Sequence, residues 1–227
     1  MSRTRAVIAA AATVVALTLG SAVAAADTPF DVDLTGDADG TIQSFGYTNT
    51  ATYGQTITVP DGVDGVASFS FVMDLPEALV FRGVLRAWES GRATGPELYV
   101  SEPRSTAGDG PEVVTFTADM DLEPGLYVIY ATISYDYATN AEIEGPTQGA
   151  WRTTSSDEDA YPDGATVYLN NGGDLDALTT EAWTPWPGAD LSFALTFFAA
   201  EDPEEPGEPE DPADPADPVV AEPTFTG

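Results

Sequence analysis

Three of the four tryptophans, Trp151, Trp183 and Trp186, fall within residues 151–186, a stretch that also holds Tyr161 and Tyr168. Much of it lacks strand periodicity, with long loops expected over 142–164 and 179–190. Flat aromatic rings on loops, beside Asp, Asn and Gln, are suited to holding sugars. Ring faces stack on pyranose C–H groups while carboxylates and amides take the hydroxyls. Trp183-Thr184-Pro185-Trp186-Pro187 is the most suggestive segment, because its two prolines hold the backbone extended and the rings on display. The competing reading is that these aromatics plug the open end of a sandwich and close its core, since aromatic burial is a large stabilising term.

Acid clusters raise the question of calcium. Asp31, Asp33, Asp37 and Asp39 precede Gly40, but in an EF-hand register position 1 is Thr35 and position 12 is Gly46. The first acid and the bidentate Glu are both missing, so this is not an EF-hand. Asp157, Glu158, Asp159 and Asp163 form a second cluster. Asn170, Asn171, Asp174 and Asp176 form a third, favoured as a metal site because amides, glycines and acids share one tight turn. No cofactor is required by the sequence, and a structural calcium ion is the one candidate. Clusters also arise by chance in a chain with 38 acidic residues.

What is absent excludes most other chemistry. The chain has seven Arg but no Lys, His or Cys. That removes thiol nucleophiles, disulfides, His- or Cys-ligated metals, Ser-His-Asp triads, Schiff bases and P-loop lysines. The remaining catalytic route is a pair of carboxylates facing each other across a cleft, as in glycosidases. No acid has a distinctive local setting for it, so the expectation is a non-enzyme. Arg82 and Arg86 share one strand face with Trp88. They read either as partners of cross-strand carboxylates lying over aromatic rings, or as a patch for an acidic ligand.

These residues need a scaffold, and period-two alternation supplies one. In Val66–Leu75, Phe69, Phe71, Met73 and Leu75 share a face. In Leu79–Trp88 the inner set is Leu79, Phe81, Gly83, Leu85 and Ala87. Leu191, Phe193, Leu195 and Phe197 alternate with smaller residues, and Leu126–Tyr135 is apolar on both faces, as in a central strand. Weaker candidates are Thr41–Tyr47, Tyr53–Val59, Glu97–Val100, Glu112–Thr117 and Ala165–Asn170. Turn signals such as Pro60-Asp61-Gly62 and Glu123-Pro124-Gly125 separate them. Helical periodicity is lacking apart from one short turn over Asp174–Thr180. Eight to ten short strands predict an all-β, antiparallel β-sandwich, jelly-roll-like, over residues 27–200.

Four segments carry a resemblance: Tyr53-Gly54-Gln55-Thr56-Ile57-Thr58-Val59-Pro60; Phe81 through Trp88 to Gly95-Pro96; Val167-Tyr168-Leu169-Asn170-Asn171-Gly172-Gly173-Asp174; and Asp190-Leu191-Ser192-Phe193-Ala194-Leu195-Thr196-Phe197. Together, over roughly residues 41–198, they resemble a group of uncharacterised exported bacterial β-sandwich domains often found in anchored surface proteins. The resemblance implies a secreted, surface-associated domain. It carries no catalytic residues across.

The ends read differently from the middle. Arg3 and Arg5, the apolar run Ala6–Leu19, and Ala22-Val23-Ala24-Ala25-Ala26 form a Sec-type signal peptide over 1–26, too short in its apolar run to span a bilayer. Its removal leaves five Arg against 38 acids, a net charge of −33, which disfavours nucleic acid and anionic surfaces as partners. Residues 201–227 hold 10 acids and 7 Pro and predict a disordered, extended tail. It reads either as a free solubilising end or as a stalk before an anchor beyond Gly227.

The expected protein is therefore secreted, extracellular or at the cell surface, with no membrane insertion of the mature chain. Its expected role is a binding module for extracellular polysaccharide or surface glycan through Trp151, Tyr161, Tyr168, Trp183 and Trp186. The alternative is a structural or adhesion protein of the cell surface, held out on the acidic proline stalk, without a small-molecule site; a surface or wall protein is a further candidate partner.

Overall fold

Alternation of apolar and polar residues builds the strands of this protein. A computed structural model describes residues 30–47, 49–143, 148–154 and 159–199. The expectations for 1–26 and 201–227 lie outside those residues, as do Asp157 and Glu158. In chain order the strands are β1 (Val32–Asp33), β2 (Gly40–Gly46), β3 (Thr52–Val59), β4 (Val63–Asp74), β5 (Arg82–Glu89) and β6 (Arg92–Val100). Then come β7 (Glu112–Asp121), β8 (Gly125–Thr132), β9 (Gln148–Thr153), β10 (Thr166–Leu169), β11 (Thr184–Pro185) and β12 (Phe193–Ala199). Two short helices interrupt them, α1 (Tyr137–Ala141), entered through a 3-10 turn at Ser134–Asp136, and α2 (Ala177–Thr180).

The strands form two antiparallel sheets. One runs β1-β12-β4-β9-β2, with β7 on the other edge of β4; the second runs β11-β10-β3-β8-β5-β6. The chain changes sheet at each step from β2 to β5 and again from β6 to β10, the alternating connectivity of a jelly-roll-like sandwich. The all-β sandwich read from alternation is the fold observed. Among the described residues no helix is long and apolar enough to cross a membrane.

The main core lies between the sheets. Phe69, Phe71, Met73 and Leu75 of the β4 region meet Leu79, Phe81 and Leu85 across the gap, joined by Phe193, Leu195 and Phe197. Close approach is built in at Gly83, where a Cβ would fall 2.4 Å from the Phe116 ring. The β8 strand is central, between β3 and β5, which explains its two apolar faces.

That second apolar face creates a second core, which alternation alone did not predict. On the outer side of the second sheet, Val84, Val128, Tyr130, Val167 and Leu169 are covered by Ala177 and Leu178 of α2 and by Trp183. The arginines of β5 border this layer. Arg82 makes two hydrogen bonds to Asp136, at 2.8 and 3.1 Å, and its guanidinium carbon lies 5.7 Å from the centre of the Tyr135 ring. Arg86 is buried and pairs with Glu97 of the neighbouring β6. Glu97 also accepts from the Tyr135 hydroxyl; burial first, then this carboxylate, pushes that phenol up to about 12. Arg86 thus pairs across neighbouring strands and Arg82 with the 3-10 turn that follows β8, and neither presents an open anion patch.

Two further departures concern segments read as loop or strand. Residues 142–164 contain β9, which pairs with β2 and touches β4 at Met73–Asp74. The strand through Leu126–Tyr135 stops at Thr132, and α1 is pinned to the sheet by Asn140. Its buried amide accepts from Val80 N at 2.9 Å and donates to Val80 O at 2.8 Å.

Candidate functional site

Trp186 is the one tryptophan of the 151–186 group that reaches solvent, at 38% exposure. β11 pairs with β10 so that Tyr168 faces Thr184 and Val167 faces Pro185. The Trp186 N–H then donates to Thr166 O at 2.8 Å, extending the ladder by one bond. Prolines on both sides restrict the backbone, and the chain turns away at Gly188, whose φ of +89° favours glycine. Behind the indole stands Tyr168, edge-on at 6.0 Å between ring centres, and behind Tyr168 stands Tyr53 at 5.7 Å. The exposed ring therefore rests on a fixed aromatic stack.

Beside Trp186 lies a cleft of about 340 Å³, bounded by Gly164–Thr166, Pro185–Asp190 and Asp159. Gly164 allows its wall to sit close against β3, since a Cβ there would fall 1.9 Å from Thr56 O. Asp190 is 3% exposed. Gln55 Nε2 donates to its Oδ1 at 2.9 Å, and Tyr161 N donates to its Oδ2 at 2.8 Å. Gln55 Oε1 in turn accepts from Leu191 N at 3.2 Å. The Thr166 hydroxyl lies 3.0 Å from that same oxygen and 2.9 Å from Ala189 O, with one proton to share between them.

This network ties β3 of one sheet to the segment entering β12 of the other. Burial pushes the Asp190 carboxyl above its ordinary value, and the charge of Asp159 adds to the rise. The Tyr161 N–H and the Gln55 amide oppose it. Asp159 itself is exposed, with no hydrogen bond or ion pair to another described residue.

The other expected contact residues lie elsewhere. Trp151, on β9, is fully buried in the main core, 5.4 Å from Phe45 and 4.7 Å from Phe71 between ring centres. Its ring has no face left for a ligand. Trp183 is 4% exposed, packs edge-on against Tyr130 and Trp88, and donates from Nε1 to Leu178 O at 2.9 Å. Tyr161 is buried on Phe193 at 5.3 Å, and its hydroxyl accepts from Thr58 N. Aromatic burial thus took these three, and the cleft keeps Trp186 with Tyr168 behind it. The exposed coplanar Trp183/Trp186 pair that would mark an extended sugar platform does not form.

The Asn170–Asp176 turn is occupied with holding itself together. Asn171 is buried; its Oδ1 accepts from Thr52 Oγ1 at 2.9 Å, and its Nδ2 donates to Ser134 Oγ and Asp174 O at 2.9 and 2.8 Å. Asp174 Oδ1 accepts from the N–H groups of Asp176 and Ala177, which starts α2. Asn170 and Asp176 lie exposed on either side. Among the described residues no group of three or more acids is placed to hold a metal ion.

Gln55, Thr166 and Asp190 were not singled out from sequence as site residues. An acid directly before a fully apolar strand face is the signal that could have marked Asp190. Chemically, the cleft offers one aromatic face, two carboxylates and backbone carbonyls. Asp190, held at both oxygens, is not free to swing toward a reacting atom. The chain matches no protein-family model, and no curated protein or solved structure is significantly similar to it.

Proposed function

We propose that this chain is an exported, non-enzymatic β-sandwich that binds carbohydrate of an extracellular polysaccharide or surface glycan in the cleft beside Trp186. The observation that carries this reading is an exposed indole, rigidly backed by Tyr168, at the lip of a polar cleft of about 340 Å³. That combination of one flat apolar face with a few fixed polar groups suits a sugar ring. The volume fits a short saccharide segment and not a folded partner. The export reading rests on the N-terminal signal pattern of residues 1–26 and on the resemblance to exported domains. A strongly acidic surface argues against nucleic acid.

A second reading is favoured by one specific observation. Trp151 and Trp183 are buried, so most of the aromatic content serves the cores, as in an adhesion or structural surface domain with no small-molecule site. Titration of intrinsic fluorescence with a panel of soluble polysaccharides separates the two. A saturable change that disappears in Trp186→Ala supports carbohydrate binding. A flat response from the folded protein across a broad panel leaves the adhesion reading.

A further inference from the structure

The polar lining of the cleft has one sign. Asp159 and Asp190 both border it, and no arginine does. The five arginines of the described residues are committed elsewhere: Arg82 to Asp136, Arg86 to Glu97 and Arg152 to Asp74, while Arg92 and Arg104 donate to Thr180 O and Thr115 O. Asp190 is held by neutral donors, the Gln55 amide and the Tyr161 and Ala160 N–H groups, so its charge has no cationic partner among the described residues. Asp159 makes no hydrogen bond or ion pair to another described residue and stands exposed at the rim. Buried walls around such a pair focus a negative potential into the opening. Burial chiefly, and the charge of Asp159 to a lesser degree, push the Asp190 carboxyl up. Next to them, the exposed face of Trp186 accepts either sugar C–H groups or a cation.

We propose that the cleft selects saccharides bearing a primary ammonium group, as in de-N-acetylated amino sugars, over their N-acetylated and acidic counterparts. The inference rests on the carbohydrate reading above and names its ligand class. An ammonium at the rim meets Asp159 directly, over the buried charge of Asp190, while the sugar ring lies on Trp186. A uronate in the same place faces two carboxylates with no counter-charge. An N-acetylated ring keeps the stacking and loses the ion pair.

The test uses the full chain at about pH 6, where a sugar amine is protonated. Its probes are glucosamine hexasaccharide, N-acetylglucosamine hexasaccharide, an oligogalacturonate and spermidine, followed by calorimetry. The expected result is binding of the glucosamine oligomer about tenfold tighter than the N-acetylated one, the size of a hydrogen bond to a charged group. Oligogalacturonate and spermidine show none at the same concentrations. Asp159→Asn, at an exposed site, should remove most of the preference while leaving the N-acetylated oligomer unaffected. Asp109→Asn, an equal charge change outside the cleft lining, should leave it intact.

Equal affinity for the two hexasaccharides overturns the inference and leaves carbohydrate binding standing. An equal loss in Asp109→Asn and Asp159→Asn also overturns it, because general protein charge is then responsible. Spermidine binding as tightly as the amino sugar does the same, since the site then reads charge without the ring. Failure of every sugar, including a neutral polysaccharide panel, overturns the carbohydrate reading together with it.

Discussion

Trp183 and Trp186 stand three residues apart in one proline-spaced segment and meet opposite fates. Trp183 closes the outer core over β8 and β5, at 4% exposure, whereas Trp186 is 38% exposed beside the cleft. In extended backbone, residues an odd number apart point to opposite sides, and the pairing of Thr184 with Tyr168 and Pro185 with Val167 sets which side each takes. Trp183 accordingly joins Val167 and Leu169 on the outer face, and Trp186 meets Tyr168 on the other. The comparison teaches that an aromatic-rich segment can combine one structural anchor with one presented ring. The anchor is what holds the presented ring still.

Substitution should separate the two roles. Trp151→Ala and Trp183→Ala are each expected to cost about 3–5 kcal/mol in denaturant unfolding, as large aromatic truncations in cores do. Trp186→Ala should change stability by no more than about 1 kcal/mol. A cost at Trp186 equal to that at Trp183 would break the distinction between anchor and presented ring.

The Gln55 hub should come next in size. Gln55→Leu leaves Leu191 N without its acceptor and Asp190 without one of its donors, with an expected cost of about 2–3 kcal/mol. Because this hub positions the cleft wall and Trp183 does not touch it, Gln55→Leu should also weaken ligand binding. If it destabilised the protein with ligand affinity unchanged, the link between network and cleft would fail.

The Asp190 carboxyl provides a pH test with a definite sign. Its folded value is raised, so between the ordinary value of 3.8 and that raised value the folded state holds more proton than the unfolded chain. The contribution of this group to stability is full below the ordinary value and declines as pH rises through the window. The stability of the wild type minus that of Asp190→Asn should therefore fall with rising pH over this window, and then level. A difference that rises across it would contradict the buried, cation-free setting of Asp190.

Smallest is the effect expected at the Asn170–Asp176 turn. Asp174→Ala removes the acceptor of the Asp176 and Ala177 N–H groups at the entry to α2 and should cost about 1 kcal/mol, loosening the helix that covers the outer core next to Trp183. Chelation of divalent ions should leave the melting temperature unchanged. A calcium-dependent rise in melting temperature that Asp174→Ala removes would reassign the turn as a metal site.

How much of this was legible in the sequence varies with how the residues encode it. The β4 and β12 regions show large apolar side chains at every second position, and their faces emerge as read. In β9 the same alternation is present, but its inward residues are Gly149, Trp151 and Thr153, so only one of three announces itself as apolar. Sequence alone therefore reads this segment as loop and leaves Trp151 open between a ligand-facing ring and a core plug.

The two apolar faces of β8 are visible in the sequence, but no local pattern names what covers the outer one. A central strand with both faces apolar needs a cover on the outer side, and α2 with Trp183 is the nearest apolar segment able to supply it. The cleft itself depends on Gln55 and Asp190, 135 residues apart in sequence, and no local pattern reports such a meeting.

The most direct measurement is fluorescence titration of the full chain and its Trp186→Ala variant with the same polysaccharide panel, each shown folded by the same unfolding curve. The account predicts a saturable response in the wild type that is lost in Trp186→Ala with little change in stability. A response retained in full by the variant, or none from either protein, would contradict the placement of a sugar site at the Trp186 cleft.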